Sequence, residues 1–173
     1  MSAAPARKRK KNIAIEASIP IKSYLKKFVL WMESEDGAEV LDLSGENAIA
    51  YTLTMLLTGK SNLNLRTHPN LQKLYNDDIK IRIPKQYLDN GKIYFDFDNI
   101  VIFNRFLFRF FHDILLQRIM FNQQVNIDIK STIYQFVEEL DIADDVTMDA
   151  LIKASYRHRK RKKNSRFRSV NCL

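Results

Sequence analysis

Apolar and polar positions alternate in IAIEASIP, residues 13–20, the period-two pattern of a short strand. From Ser23 the period lengthens: Tyr24, Leu25, Phe28, Val29 and Met32 recur at helical spacing, and the run stops near Asp36-Gly37. VLDLS, from Val40, is a second strand candidate. It is followed by NAIAYTLTMLL, a helix expected to take Ser44 as its cap and to end at Gly59. IKIRIP (79–84) and KIYFDF (92–97) both alternate, and Asp89-Asn90-Gly91 lies between them. Together they predict a hairpin, which must pack on helices or join the earlier strands because two strands alone are not stable in water.

The longest element comes next. With Asp98 or Asn99 as N-cap, about six helical turns are expected to Gln123. Phe103, Phe106, Leu107, Phe110, Ile114, Leu115 and Met120 form its apolar face, and Phe108, Phe111 and Ile119 widen it. So broad a face predicts a central helix covered on more than one side. Asp128 is placed to cap a helix carrying Ile133, Phe136, Val137 and Leu140. Thr147 then caps another, with Met148, Leu151, Ile152 and Ser155 facing inward. The expected fold class is therefore α+β and mostly helical: a long central helix, a C-terminal helical pair and a small antiparallel β-ribbon. No internal repeat is evident.

Charge divides this chain into three parts. The net charge is +8, with 28 Lys and Arg against 20 Asp and Glu. Five of the cations are Arg7, Lys8, Arg9, Lys10 and Lys11. Nine more are Lys153, Arg157, Arg159, Lys160, Arg161, Lys162, Lys163, Arg166 and Arg168. All 20 acidic residues fall between Glu16 and Asp149, so the fourteen cations left in residues 12–152 give that body a net charge of −6. The expected organisation is a flexible basic arm (1–11), one acidic globular domain (12–152) and a basic helical extension and tail (153–173). Such segregation concentrates any attraction for polyanions at the two ends.

The candidate chemistry narrows the classes. The single cysteine, Cys172, excludes an intramolecular disulfide and a cysteine-based zinc finger and fits a reducing compartment. IVIFNRFLFRFFHDILL is interrupted by Asn104, Arg105, Arg109, His112 and Asp113, so no membrane span is expected and the chain reads as cytoplasmic. LTGKS, residues 57–61, echoes the end of a phosphate-binding loop. The position five before Gly59 is Thr54, however, and a helix leads into it, so a helix C-cap explains the glycine. Asp96 and Asp98, read as strand neighbours on one face, could hold a divalent metal for a nuclease, although no further carboxylate completes the set. His68, His112 and His158 fall in no metal-ligand spacing. No cofactor, no metal and no enzymatic activity are expected.

Residues 128–163 offer helix, turn and helix, the pattern of a DNA-binding pair. The connection DIADDVT is long and carries no glycine, and Asp144, Asp145 and Asp149 put negative charge where base-reading residues normally start. The cations come at the far end, where Lys153, Arg157, Lys160 and Arg161 form a stripe at spacings of four and three. Phe167 between Arg166 and Arg168 could stack an unpaired base, which favours RNA or single strands. DNA or RNA at the basic ends is thus the expected partner. Protein partners or a second copy of the chain are further candidates, in an assembly role whose tails contact a neighbour or a packaged genome.

Three segments, IPIKSYLKKFV, IRIPKQYLDNG and STIYQFVEELDIADD followed by YRHRKRK, resemble small uncharacterised proteins carried by phages and mobile elements of Bacteroidetes-type bacteria. The likeness covers most of residues 18–161 and contains no catalytic motif. It implies a phage or mobile-element setting, with the host cytoplasm or a virion as location.

Overall fold

The structure is a computed structural model, and it describes residues 14–33, 39–44, 47–58, 75–85, 87, 93 and 96–157. The alternating segments become strands β1 (Ala14–Ile21), β2 (Val40–Asp42) and β3 (Asp77–Pro84). Helix α1 (Ser23–Glu33) joins the first two, and α2 (Ala48–Thr58) follows β2. The long helix α3 (Phe97–Gln124), α4 (Ile129–Glu139) and α5 (148–157) complete the described chain. The result is α+β and mostly helical around a long central helix, as the periodicities predict.

The three strands form one sheet in the order β1-β3-β2. β3 runs antiparallel to β1 from Ala14↔Pro84 to Ile21↔Asp77, and parallel to β2 from Val40↔Lys80 to Asp42↔Arg82. The period-two reading of β3 holds from Asp78 to Ile83 and breaks at Pro84, which is buried beside Ile83. Ile79, Ile81 and Ile83 are buried and Asp78, Lys80 and Arg82 are exposed. An antiparallel ribbon is present, and among the described residues its members are β1 and β3; of the segment 92–97 expected as the hairpin partner, residues 92, 94 and 95 lie outside the described residues. Both hydrogen-bonding edges of β3 are occupied, by β1 and β2, and Phe97 already opens α3. Closing a longer loop costs little extra entropy, and β1 supplies Ile19 and Ile21 to the same buried face.

One face of the sheet is apolar, and α1, α2 and α3 pack together above it. A single hydrophobic cluster runs from Ile19 to Leu151 through strands and helices. At its centre Phe111 of α3 meets Tyr24 (centroids 5.4 Å apart), Phe28 (5.3 Å) and Phe136 (5.5 Å), the first two edge to face. Trp31 adds an edge-to-face contact to Phe136, so α1, α3 and α4 are joined through aromatic rings. α3 spans about 42 Å at 1.5 Å per residue, long enough to run past the sheet and serve as a spine for α4.

Several local expectations change. Asn47, not Ser44, caps α2: its Oδ1 accepts from the Ala50 N–H at 2.6 Å, while Ser44 bonds to Asp42 instead. The N-cap of α3 is Asp96, two residues ahead of Asp98, and Asp98 and Asn99 lie buried in the first turn. Met120, assigned to the apolar face, is 60% exposed, and Phe108 is 45% exposed, while Phe111 and Ile119 are fully buried. A face this wide leaves the choice of its centre to the neighbouring elements. Asp128 does cap α4, accepting from the Ser131 N–H at 3.0 Å. Both α3 and α4 end on residues with positive φ, Asn126 (62°) and Asp141 (52°). In each case the next residue reaches back five positions, Ile127 N–H to the Asn122 carbonyl and Ile142 N–H to that of Val137, which satisfies carbonyls left open by the helix end.

Candidate nucleic-acid interface

Of the fifteen residues singled out for polyanion contact, the structure describes Lys153 and Arg157. Both are exposed on α5, one turn apart on one face. The opposite face of the helix packs on the core, where Leu151 and Ser155 are buried, and Ser155 Oγ donates to the Leu151 carbonyl at 2.8 Å within the helix. The apolar contribution ends there, and Tyr156 is exposed. This part of the stripe is therefore brought together as expected. Arg7 to Lys11, and Arg159, Lys160, Arg161, Lys162, Lys163, Arg166, Phe167 and Arg168, lie outside the described residues. So do Gly59, Lys60 and Ser61 of the phosphate-loop echo, and His68 and His158.

The acidic stretch before α5 has a structural role that its sequence does not announce. Lys27 of α1 reaches both Asp141 (Oδ2, 3.3 Å) and Asp145 (Oδ2, 3.1 Å), and its ammonium also donates to the Asp141 carbonyl. Ser23, at the start of α1, donates from Oγ to the other Asp145 oxygen. The connection between α4 and α5 is thus tied to α1 at two points, and the base of the cationic stripe is held against the core. The Asp145 hydrogen bond holds the Lys27 ammonium above its usual range, against a smaller opposing push from desolvation, with Asp141 adding to the rise. One of the three carboxylates expected to repel a phosphate backbone, Asp145, is therefore paired, while Asp144 and Asp149 are exposed.

Other cations of the body are also engaged with carboxylates. Lys26 pairs with Asp77 at 2.8 Å, and Arg82 lies between Glu16 (3.5 Å) and Asp42 (4.0 Å) across the open face of the sheet. Burial raises the Asp77 carboxyl, but the Lys26 hydrogen bond and the Asp78 N–H outweigh it and leave its pKa lowered. Arg118 pairs with Glu139 and sits 5.7 Å from the centroid of the Phe136 ring. Arg105 and Arg109, which the sequence marks only as interruptions of an apolar run, are exposed one turn apart on α3. Their spacing of four was the available signal, hidden by the apolar residues between them.

The strand placement behind the metal reading is not observed. Asp96 is the N-cap of α3 and Asp98 lies in its first turn, so the two do not share a strand face. Among the described residues no group of three His, Cys, Asp or Glu side chains is placed to hold a metal ion. His112 is buried against the edges of Phe108 and Phe111, with ring centroids at 4.4 and 5.4 Å. No helix among the described residues is long and apolar enough to cross a membrane. No family model matches this chain, and no curated protein or solved structure matches it.

Proposed function

We propose that this protein is a non-enzymatic nucleic-acid-binding protein that grips phosphates through its two basic ends. The single observation that carries the reading is the charge segregation: fourteen cations in two short terminal stretches, flanking a body of net charge −6. Counterion release at such clusters gives strong, salt-dependent and weakly sequence-selective binding. Two structural features support it. Lys153 and Arg157 stand exposed on one face of an anchored helix, and Lys26, Lys27, Arg82 and Arg118 are engaged with carboxylates of the body itself. A polyanion would then approach the ends in preference to the middle. A phage or mobile-element setting in the host cytoplasm belongs to the same proposal, on the resemblance of the three quoted segments.

The test is a salt titration of the full chain against duplex DNA, single-stranded DNA and RNA. Engagement of about six to nine phosphates gives a slope of log K on log salt of roughly −5 to −8 for duplex. A full-length variant with both basic stretches changed to Gln should lose most of that slope. Unchanged affinity and slope in that variant would overturn the proposal.

A further inference from the structure

The outer edge of β1 is a pairing surface, and its register can be read from the hydrogen bonds of the sheet. The Leu43 N–H bonds to the Arg82 carbonyl at 3.0 Å, so Arg82 turns its backbone groups toward β2. Glu16 is the register partner of Arg82 across β1 and β3, so it faces its own N–H and C=O away from β3. By alternation Ala14, Ser18 and Pro20 do the same. Pro20 confirms the phase. It has no N–H to offer, and its carbonyl is taken by Asn104 Nδ2 at 3.0 Å from α3. One end of the edge is thereby closed, while the residues Ala14, Glu16 and Ser18 are exposed. Among the described residues no strand lies on that side.

We propose that β1 pairs with β1 of a second copy of this chain, antiparallel, about a two-fold axis at Ala17. The choice of a second copy rests on the fit of this edge to itself. In this register Glu16 faces Ser18 of the other copy in two symmetric pairs, each exchanging two backbone hydrogen bonds, and Pro20 lies outside them. Shifting the axis to Glu16 would oppose two carboxylates directly. On the helix side, Ile15 is 50% exposed, and the other copy's strand would cover part of that surface. The two small Ala17 side chains meet at the axis, so a wide-spaced close pair forms without a clash. A joint of this size makes a weak, reversible dimer with one sheet continuing across both copies.

Sedimentation of the full chain over a concentration series should show a reversible rise from monomer to dimer mass. Ser18→Pro removes one outward N–H from each copy and leaves the bonds to β3 intact, so it should raise the dimer Kd about tenfold or more. Circular dichroism checks that the variant keeps its fold. Ile15→Lys provides a second disruption that leaves the backbone unchanged. In a Cys172→Ser background, Ala17→Cys should form a disulfide dimer on mild oxidation, because facing Cα atoms at such a position lie about 4.5 Å apart. Glu16→Cys in the same background should cross-link poorly. A monomer at every concentration, or a dimer indifferent to both Ser18→Pro and Ile15→Lys, would overturn the proposal, as would stronger cross-linking at position 16 than at 17. None of these outcomes depends on binding to nucleic acid.

Discussion

Replacing Phe111 with Ala should be far more damaging than replacing Phe108, three positions earlier on the same helix. Phe111 is fully buried and its ring meets Tyr24 and Phe28 of α1 and Phe136 of α4 within 5.5 Å. Truncation removes the transfer free energy of a whole ring and leaves a cavity walled by aromatic groups that cannot collapse together, a loss of about 3–5 kcal/mol. For a chain of this length each kcal/mol shifts the thermal midpoint by roughly 2–4 °C, so Tm should fall by roughly 6–20 °C. Against a total stability of about 5–15 kcal/mol, this puts the variant near the limit of folding. Phe108 is 45% exposed and contacts the edge of His112, so its truncation should cost less than about 1 kcal/mol. Urea unfolding of both variants, followed by circular dichroism at one low protein concentration, measures the contrast. Equal losses, or a loss below about 1 kcal/mol at Phe111, would refute the placement of the core on this side of α3.

Asn47→Ala should cost about 1 kcal/mol through loss of the α2 cap, whereas Ser44→Ala should change stability by less than about 0.5 kcal/mol; chemical denaturation of the two variants distinguishes them. Burial pushes the Tyr24 hydroxyl up to about 12, so the unfolded chain ionises this group first, near 10. Its contribution to stability is complete below pH 10 and is lost as pH rises toward 12; Tyr24→Phe should flatten that part of a stability profile, and an identical profile would count against the burial. Lys27→Met removes the tie between α1 and the connection ahead of α5, so amide exchange in residues 141–147 should quicken several-fold, while Lys27→Arg should keep most of the protection. If nucleic-acid binding operates through the ends, Lys153→Gln with Arg157→Gln should reduce the duplex salt slope by up to about 2, read from the same titration as the full chain.

Elements defined by their own periodicity were legible before any coordinates. The alternation of β3 and the spacing of Tyr24, Leu25, Phe28 and Val29 report burial directly, because a strand or a narrow helix stripe has one side to turn inward. The Asp128 cap was legible for the same local reason, since its partner Ser131 is three residues away. Strand pairing was not. The hairpin expected for residues 79–84 and 92–97 rested on closeness in sequence, while β1 competed for the same edge from sixty residues away with two isoleucines to bury. At the candidate interface, the spacing of Lys153 and Arg157 was readable as one face of a helix, but the ties of Lys27 and Ser23 to Asp145 span more than a hundred residues and leave no local pattern.

By itself, the sequence determined the class of the fold, the order of its helices and the separation of an acidic body from basic ends, because propensity, periodicity and charge are properties of neighbouring residues. Tertiary structure alone decided which strand lies in the middle, which arc of α3 is core and which of the acidic residues before α5 are neutralised. Each of those outcomes is a competition between distant segments for one surface. Such a competition is settled by shape and by the burial available, and neither is written within one turn or one strand of the chain.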